Sequence, residues 1–409
     1  MIDMVSYAKA FASPYGGDCA GMVRTLALAR LNGTRRRIAA ALVNAGQEET
    51  AHSLATFAPG TGSPWRPETG LALTAHRRQS HGLAALQLAA AYAGTGGSGC
   101  LESYIEAPEW LYLDGWLTPV GGACGLRSDG RSIRIDSGFA SVTYHASSEN
   151  HWKPADAPGG PWTAYPSGGL APRYVTAGGV RNAVEGFPWI SGTPPLGAIE
   201  QPRTADARIA TIHRGWQVIL ERTPVYGSWV AGTAAGCLLL DPDGSGIAQS
   251  GSSDDHPGLI AIDPPACPVF CGEILVHECA HQHLQIYSMA APLVKAGSRE
   301  MYYSPIKRAR RSIDRVLCGA HAVGNMILYY AALGHTMALG RASQERFDQH
   351  RCWFADDYRP ALDRSESLTE AGRALWGSLC NAVDHALEKG NATNFKYAQA
   401  SGMQGERAG

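Results

Sequence analysis

The five residues His277-Glu278-Cys279-Ala280-His281 lie among the apolar residues Ile274, Leu275, Val276 and Leu284, and they constrain this chain more than any other feature. In a helix, His277 and His281 stand at i and i+4 and project from one face, where two imidazoles can share a metal ion. The flanking apolar residues predict that the helix, expected over 273–289, is embedded in a core. The competing reading is two core histidines that happen to fall four apart.

Two imidazoles do not complete a catalytic site, which needs a third protein ligand with positions left open. The metzincin extension would put Gly at 284 and His at 287, but the chain has Leu284 and Tyr287, which excludes that class. His283 lies two residues from His281 and points away round the helix. The better third ligand is His321, in the apolar run Val316–Val323 of a helix expected over 313–333, with Cys318 and Asp314 as fallbacks on nearby turns. Upstream lies a basic cluster, Lys307, Arg308, Arg310 and Arg311. It reads either as a solvated helix entrance or as an anion site, because positive charge at a helix N-terminus opposes the macrodipole unless an anion sits nearby. Arg311 suits a carboxylate co-substrate, since a guanidinium can grip a carboxylate with two parallel hydrogen bonds.

The fold class expected is α+β, in three zones. Residues 1–96 form an N-terminal helical layer, with helices in 23–43 broken at Asn32-Gly33 and a second run over 82–93 ended by Gly94-Thr95-Gly96-Gly97. Residues 97–265 form a central antiparallel, loop-rich β layer. Its expected strands cover 132–136, 140–144 and 259–263, with a pair over 208–212 and 216–220 around the turn His213-Arg214-Gly215; the stretch 152–203 reads as loop. Residues 266–395 form a metal-binding helical region with a third helix over 369–387, and 396–409 read as a frayed tail.

The net charge of −1 gives no field to recruit nucleic acid or a membrane surface. No export signal or transmembrane run is read, and the ten cysteines hold no CxxC pair, so reduced thiols and a cytoplasmic setting are expected.

Several segments occur in an order that resembles the HEXXH-motif peptide-modification proteins of bacterial natural-product clusters. They are Ser250–Gly258, Leu275–His281, Tyr303-Ser304-Pro305, Arg311, Gly319-Ala320-His321-Ala322 and Ser367–Arg373. The likeness covers about residues 245–385. It departs from the family pattern at Ser312 and Cys318, where the family usually has a proline and a first histidine, and at Ile306-Lys307, which replaces a common Trp-Arg. The resemblance implies an iron(II)- and 2-oxoglutarate-dependent oxygenase that hydroxylates a β-carbon in a ribosomally made peptide during natural-product biosynthesis. His277, His281 and His321 would hold the iron, Arg311 would hold 2-oxoglutarate, and Glu278 would orient a ligand or water. The implied partner is a precursor peptide or amino-acid substrate. The rival readings are a zinc peptidase with Glu278 as general base, and a non-catalytic, metal-stabilised peptide binder.

Overall fold

The computed structural model describes residues 4–114, 116–138, 141–146, 152–155, 164–165, 173–176, 205–239 and 249–405. The chain is α+β and divides into two compact units. One unit comprises Met1–Met22, Arg214–Val230 and Cys267–Gly409; the other comprises Val23–His213 and Ala231–Ala266. The division does not follow the compositional zones, because the first 22 residues join the C-terminal helices.

In the second of these units, helices α2 (Ala20–Asn44), α3 (Glu48–Thr56), α4 (Pro67–Arg77) and α5 (His81–Gly94) precede the strands. The expected break at Asn32-Gly33 does not occur: α2 runs through it. A single Gly costs a helix only about 1 kcal/mol, and the buried stripe Leu26, Leu31, Ile38, Leu42 offsets that penalty. Helix α5 is buried all round, as its alanine-rich sequence requires, and packs on a five-stranded antiparallel meander. That sheet consists of β1 (Ser98–Leu113), β2 (Trp116–Asp129), β3 (Ser132–Asp136), β4 (Ser141–Ala146) and β5 (Trp152–Pro154). The one polar side chain in the middle of α5, Gln87, donates to Tyr112 O at 2.6 Å and accepts from Tyr112 N at 3.0 Å, so it pairs with the strand as another strand would.

A second sheet has the order β6 (Ala164–Tyr165), β7 (Arg173–Thr176), β8 (Gly236–Leu239), β10 (Leu259–Ile262), β9 (Ser250–Ser252). Its outer pairs are antiparallel, but β7, β8 and β10 are parallel, a pairing that local alternation does not encode. The rest of the predicted loop over 152–203 lies outside the described residues.

The strand pair expected over 208–220 is instead one helix, α6 (Ala205–Arg222), followed by α7 (Pro224–Thr233). Ile209, Ile212, Trp216 and Ile219 are all buried, and their spacing of three and four is helical. Five-residue windows show alternation by chance; the longer register decides.

The remaining unit is helical. Its elements are α1 (Met4–Ala12), α8 (Pro268–Ala290), a hairpin of β11 (Met301–Ser304) and β12 (Ala309–Ser312), α9 (Ile313–Thr336), α10 (Arg341–Cys352), a π-helical turn Trp353–Tyr358, α11 (Arg359–Asp363) and α12 (Glu370–Gly405). The tail expected to fray from 396 continues as α12 backbone to Gly405. The basic cluster lies on the β11–β12 hairpin, with Arg308 in its turn at φ 50°, and leads directly into α9, whose N-cap is Ser312, so it stands at the entrance of that helix. Helix α9 is long and apolar enough to cross a membrane, but 78% of that stretch is buried inside the protein, as befits a core helix.

Candidate metal centre

Between Cys271 and Tyr287 every residue of α8 is buried except Ile274, His277, His281 and Gln285. These fall at spacings of three, four and four, so they form a single stripe, and the two histidines sit on the one face of a core helix that is not sealed. Their Nε2 atoms converge to 3.0 Å with the rings at 85° to each other. Donors that share one ion at about 2.0–2.2 Å lie roughly 3.0–3.5 Å apart, so this separation fits a common ion. Glu278 is buried, and its Oε1 lies 3.8 Å from His277 Nε2, slightly beyond that range. The ligand atoms of His277, Glu278 and His281 all fall within 4.8 Å of one another. Two imidazoles and a nearby carboxylate suit zinc, iron or a related divalent ion.

The expectation that His321 completes the ligand set is not met. His321 is fully buried, its Nδ1 lies 3.0 Å from Ala280 O, and its Nε2 lies 2.9 Å from Phe11 O. Both ring nitrogens are thus engaged by backbone carbonyls. The reason lies in α1, whose last carbonyls have no partner within their own helix. His321 takes that of Phe11, and Asn325 Nδ2 donates to that of Ala12 at 3.0 Å. Burial drives the His321 pKa down to about 4, against the pull of these carbonyls. His283 is likewise a core residue, as its position on the helix predicts. It stacks on Trp229 at 3.9 Å, its Nε2 lies 2.9 Å from Trp229 O, and its Nδ1 lies 3.3 Å from Cys19 Sγ. Burial lowers its pKa to about 3.

Of the fallback ligands, Asp314 is exposed and lies 3.7 Å from its neighbour Arg315. Cys318 is half-buried and faces α8, with its Sγ 3.0 Å from His281 Nδ1. Burial pushes this thiol's pKa up, but the charge and hydrogen bond of His281, with Arg315, bring it below the ordinary value.

Lys307 and Arg308 are exposed on the hairpin, and Arg310 donates to Met301 O at 2.7 Å. Arg311 pairs across the ladder with Tyr302 through its backbone, is half-buried, and its guanidinium has no hydrogen-bond or ion-pair partner among the described residues. It lies close enough to Tyr358 to act on that hydroxyl electrostatically, as Cys318 does.

Tyr358 was not foreseen from the sequence. It ends the π-helical turn, is fully buried, and sits with its hydroxyl 3.5 Å from Ser304 Oγ. A Cβ on Gly319 would come within 2.7 Å of that hydroxyl, so only glycine at 319 lets the ring lie against α9. Single-turn π segments gather at functional sites, but the insertion that makes them leaves no periodic trace in a sequence.

One turn before His277, the buried Glu273 accepts hydrogen bonds from Arg346 Nε (2.7 Å) and Nη2 (2.6 Å), His350 Nε2 (2.9 Å) and Tyr330 Oη (2.5 Å). This network fixes α8 to α9 and α10 beneath the metal-facing stripe.

No protein-family model matches the chain, and no curated protein matches it significantly in sequence. The resemblance to HEXXH-motif proteins therefore rests on the motif residues alone.

Proposed function

We propose that this chain is a metal-dependent oxygenase: an iron(II)- and 2-oxoglutarate-dependent hydroxylase acting on an unactivated carbon of an amino-acid side chain. The substrate class in this reading is a ribosomally made peptide, or a free amino acid, in natural-product biosynthesis. The observation that carries the metal centre is the convergence of His277 and His281 Nε2 to 3.0 Å on the unsealed stripe of α8. Iron with 2-oxoglutarate would supply an oxidant strong enough to take hydrogen from an unactivated C–H bond.

The protein's own residues would do the rest. His277 and His281 would hold the ion. The buried carboxylate of Glu278 would accept a hydrogen bond from a water or substrate group beside them. Arg311, a half-buried cation without a carboxylate partner among the described residues, favours an anionic co-substrate over a simple peptide. The apolar packing of α8 and α9 would limit water on the closed side. A cytoplasmic setting belongs to the same proposal and is supported by ten free cysteines.

A second reading, zinc-dependent hydrolysis, is favoured by one observation. Glu278 stands just beyond ligand distance, where a general base for a metal-bound water belongs.

Anaerobic purification, metal analysis and an assay for succinate from 2-oxoglutarate separate the two. Succinate formed only with iron, and lost in His281→Ala and Arg311→Ala, is the expected result. Tightly held zinc, with no 2-oxoglutarate turnover even in the presence of candidate peptides, overturns the oxygenase reading.

A further inference from the structure

A metal ligand of the imidazole type is set by what its other nitrogen touches. For Nε2 to offer a lone pair to an ion, Nδ1 must carry the proton, and a second group normally accepts that proton and fixes the ring. In most such sites the acceptor is a carboxylate or a backbone carbonyl. On His281 it is neither: Nδ1 faces the sulfur of Cys318 at 3.0 Å, while Nε2 faces His277 at 3.0 Å. The two nitrogens of an imidazole point away from each other, so a sulfur held against Nδ1 cannot also reach an ion on Nε2. This excludes Cys318 as a fallback ligand in this arrangement and gives it another task.

We propose that Cys318 is a positioning residue of the metal centre. Its sulfur accepts the Nδ1 proton of His281 and thereby directs the Nε2 lone pair to the ion. The inference rests on the metal-centre reading of His277 and His281, and on neither iron nor oxygenase chemistry. Two features of α9 hold the sulfur in place. Cys318 sits three residues before His321, whose bond to Ala280 O fixes α9 against the turn of α8 that carries His281. Next to it, Gly319 admits the Tyr358 ring, so the α9 backbone stays close to the π-helical turn. A thiol that only filled space would be expected on the sealed side of the helix; this one is half-buried on the side of the site.

The test uses the full-length chain and two ions, zinc and cobalt(II), with affinity measured by competition against a chromophoric chelator. Cys318→Ala is expected to weaken both ions by about 10- to 100-fold, the range typical for loss of such a supporting contact. Cys318→Ser, which keeps an acceptor, is expected to recover part of that loss, with unchanged thermal unfolding of both metal-free variants. The cobalt-loaded wild type is expected to lack a thiolate-to-metal charge-transfer band. Unchanged affinity in Cys318→Ala overturns the proposal. So does a sulfur charge-transfer band that disappears in that variant, because Cys318 would then be a ligand. A wild-type chain that binds neither ion fails at His277 and His281 themselves, a result distinct from either.

Discussion

Replacing Glu273 by glutamine keeps the side chain's size and removes its charge, and the consequence can be worked from the structure. The carboxylate is 2% exposed and receives four hydrogen bonds, from Arg346 (two), His350 and Tyr330. Burial alone would raise its pKa. The hydrogen bonds and charges of His350 and Arg346 outweigh burial and hold it at about 2, against an ordinary 4.5. A depression of that size corresponds to about 3 kcal/mol of folding stability at neutral pH. Removing one partner of a buried ion pair costs about 3–5 kcal/mol by an independent route. The low end applies here, because Arg346 is 42% exposed and can regain water.

The folded-state pKa lies below the unfolded one. The stabilisation is therefore complete above about pH 4.5 and drains as pH falls toward about 2, by roughly 1.4 kcal/mol per pH unit. Urea unfolding followed by circular dichroism at pH 7 and pH 3.5 measures both effects. Glu273→Gln is expected to lose about 3 kcal/mol at pH 7, and the gap to narrow by about 1.4 kcal/mol at pH 3.5. A loss below about 1 kcal/mol at pH 7, or an equal gap at both pH values, would refute the reasoning.

Four further outcomes follow from named contacts. His321→Ala should cost about 2–4 kcal/mol, because it empties a core site and leaves whichever carbonyl the neutral ring's single N–H serves, that of Phe11 or that of Ala280, short of a donor, yet metal stoichiometry by elemental analysis should stay at the wild-type value. His283 and His321 both have folded pKa values below the ordinary 6.5, so stability should decline as pH falls from about 6.5 toward 4, by roughly 1.4 kcal/mol per unit for each; a flat denaturation profile over that range would contradict the assignment. In the hydrolase reading, where Glu278 is the general base, Glu278→Gln should retain metal binding but lower turnover by about 10²- to 10⁴-fold, read from metal content and rate together. At Gly372, an added Cβ would collide with the backbone carbonyl of Leu293, so Gly372→Ala should destabilise the protein by about 2 kcal/mol or more in thermal unfolding.

Much of the helical framework was legible because it rests on a local period. Spacing alone put His277 and His281 on one face, marked His283 as pointing elsewhere, and placed helices close to Pro268–Ala290 and Ile313–Thr336. Strand β3 was readable from alternation, β10 from a short apolar run opened by Pro257-Gly258, and α5 from its alanine-rich run closed by glycines. Where a window was too short for its period to declare itself, as over 208–220, the sequence misled.

Three things were decided only in the tertiary structure. The basic segment 307–311 became part of a hairpin, because its two strands satisfy each other across the Tyr302–Arg311 ladder. His321, on an apolar helix in the right neighbourhood for a ligand, turned its two nitrogens to Phe11 O and Ala280 O, a partner more than three hundred residues away in sequence and one on the facing helix. Cys318 came against the back of His281. Local periodicity tells which face of a helix a side chain leaves from. Which unsatisfied donor or acceptor it meets there depends on how distant segments pack, and a buried polar atom takes the partner that packing brings to it.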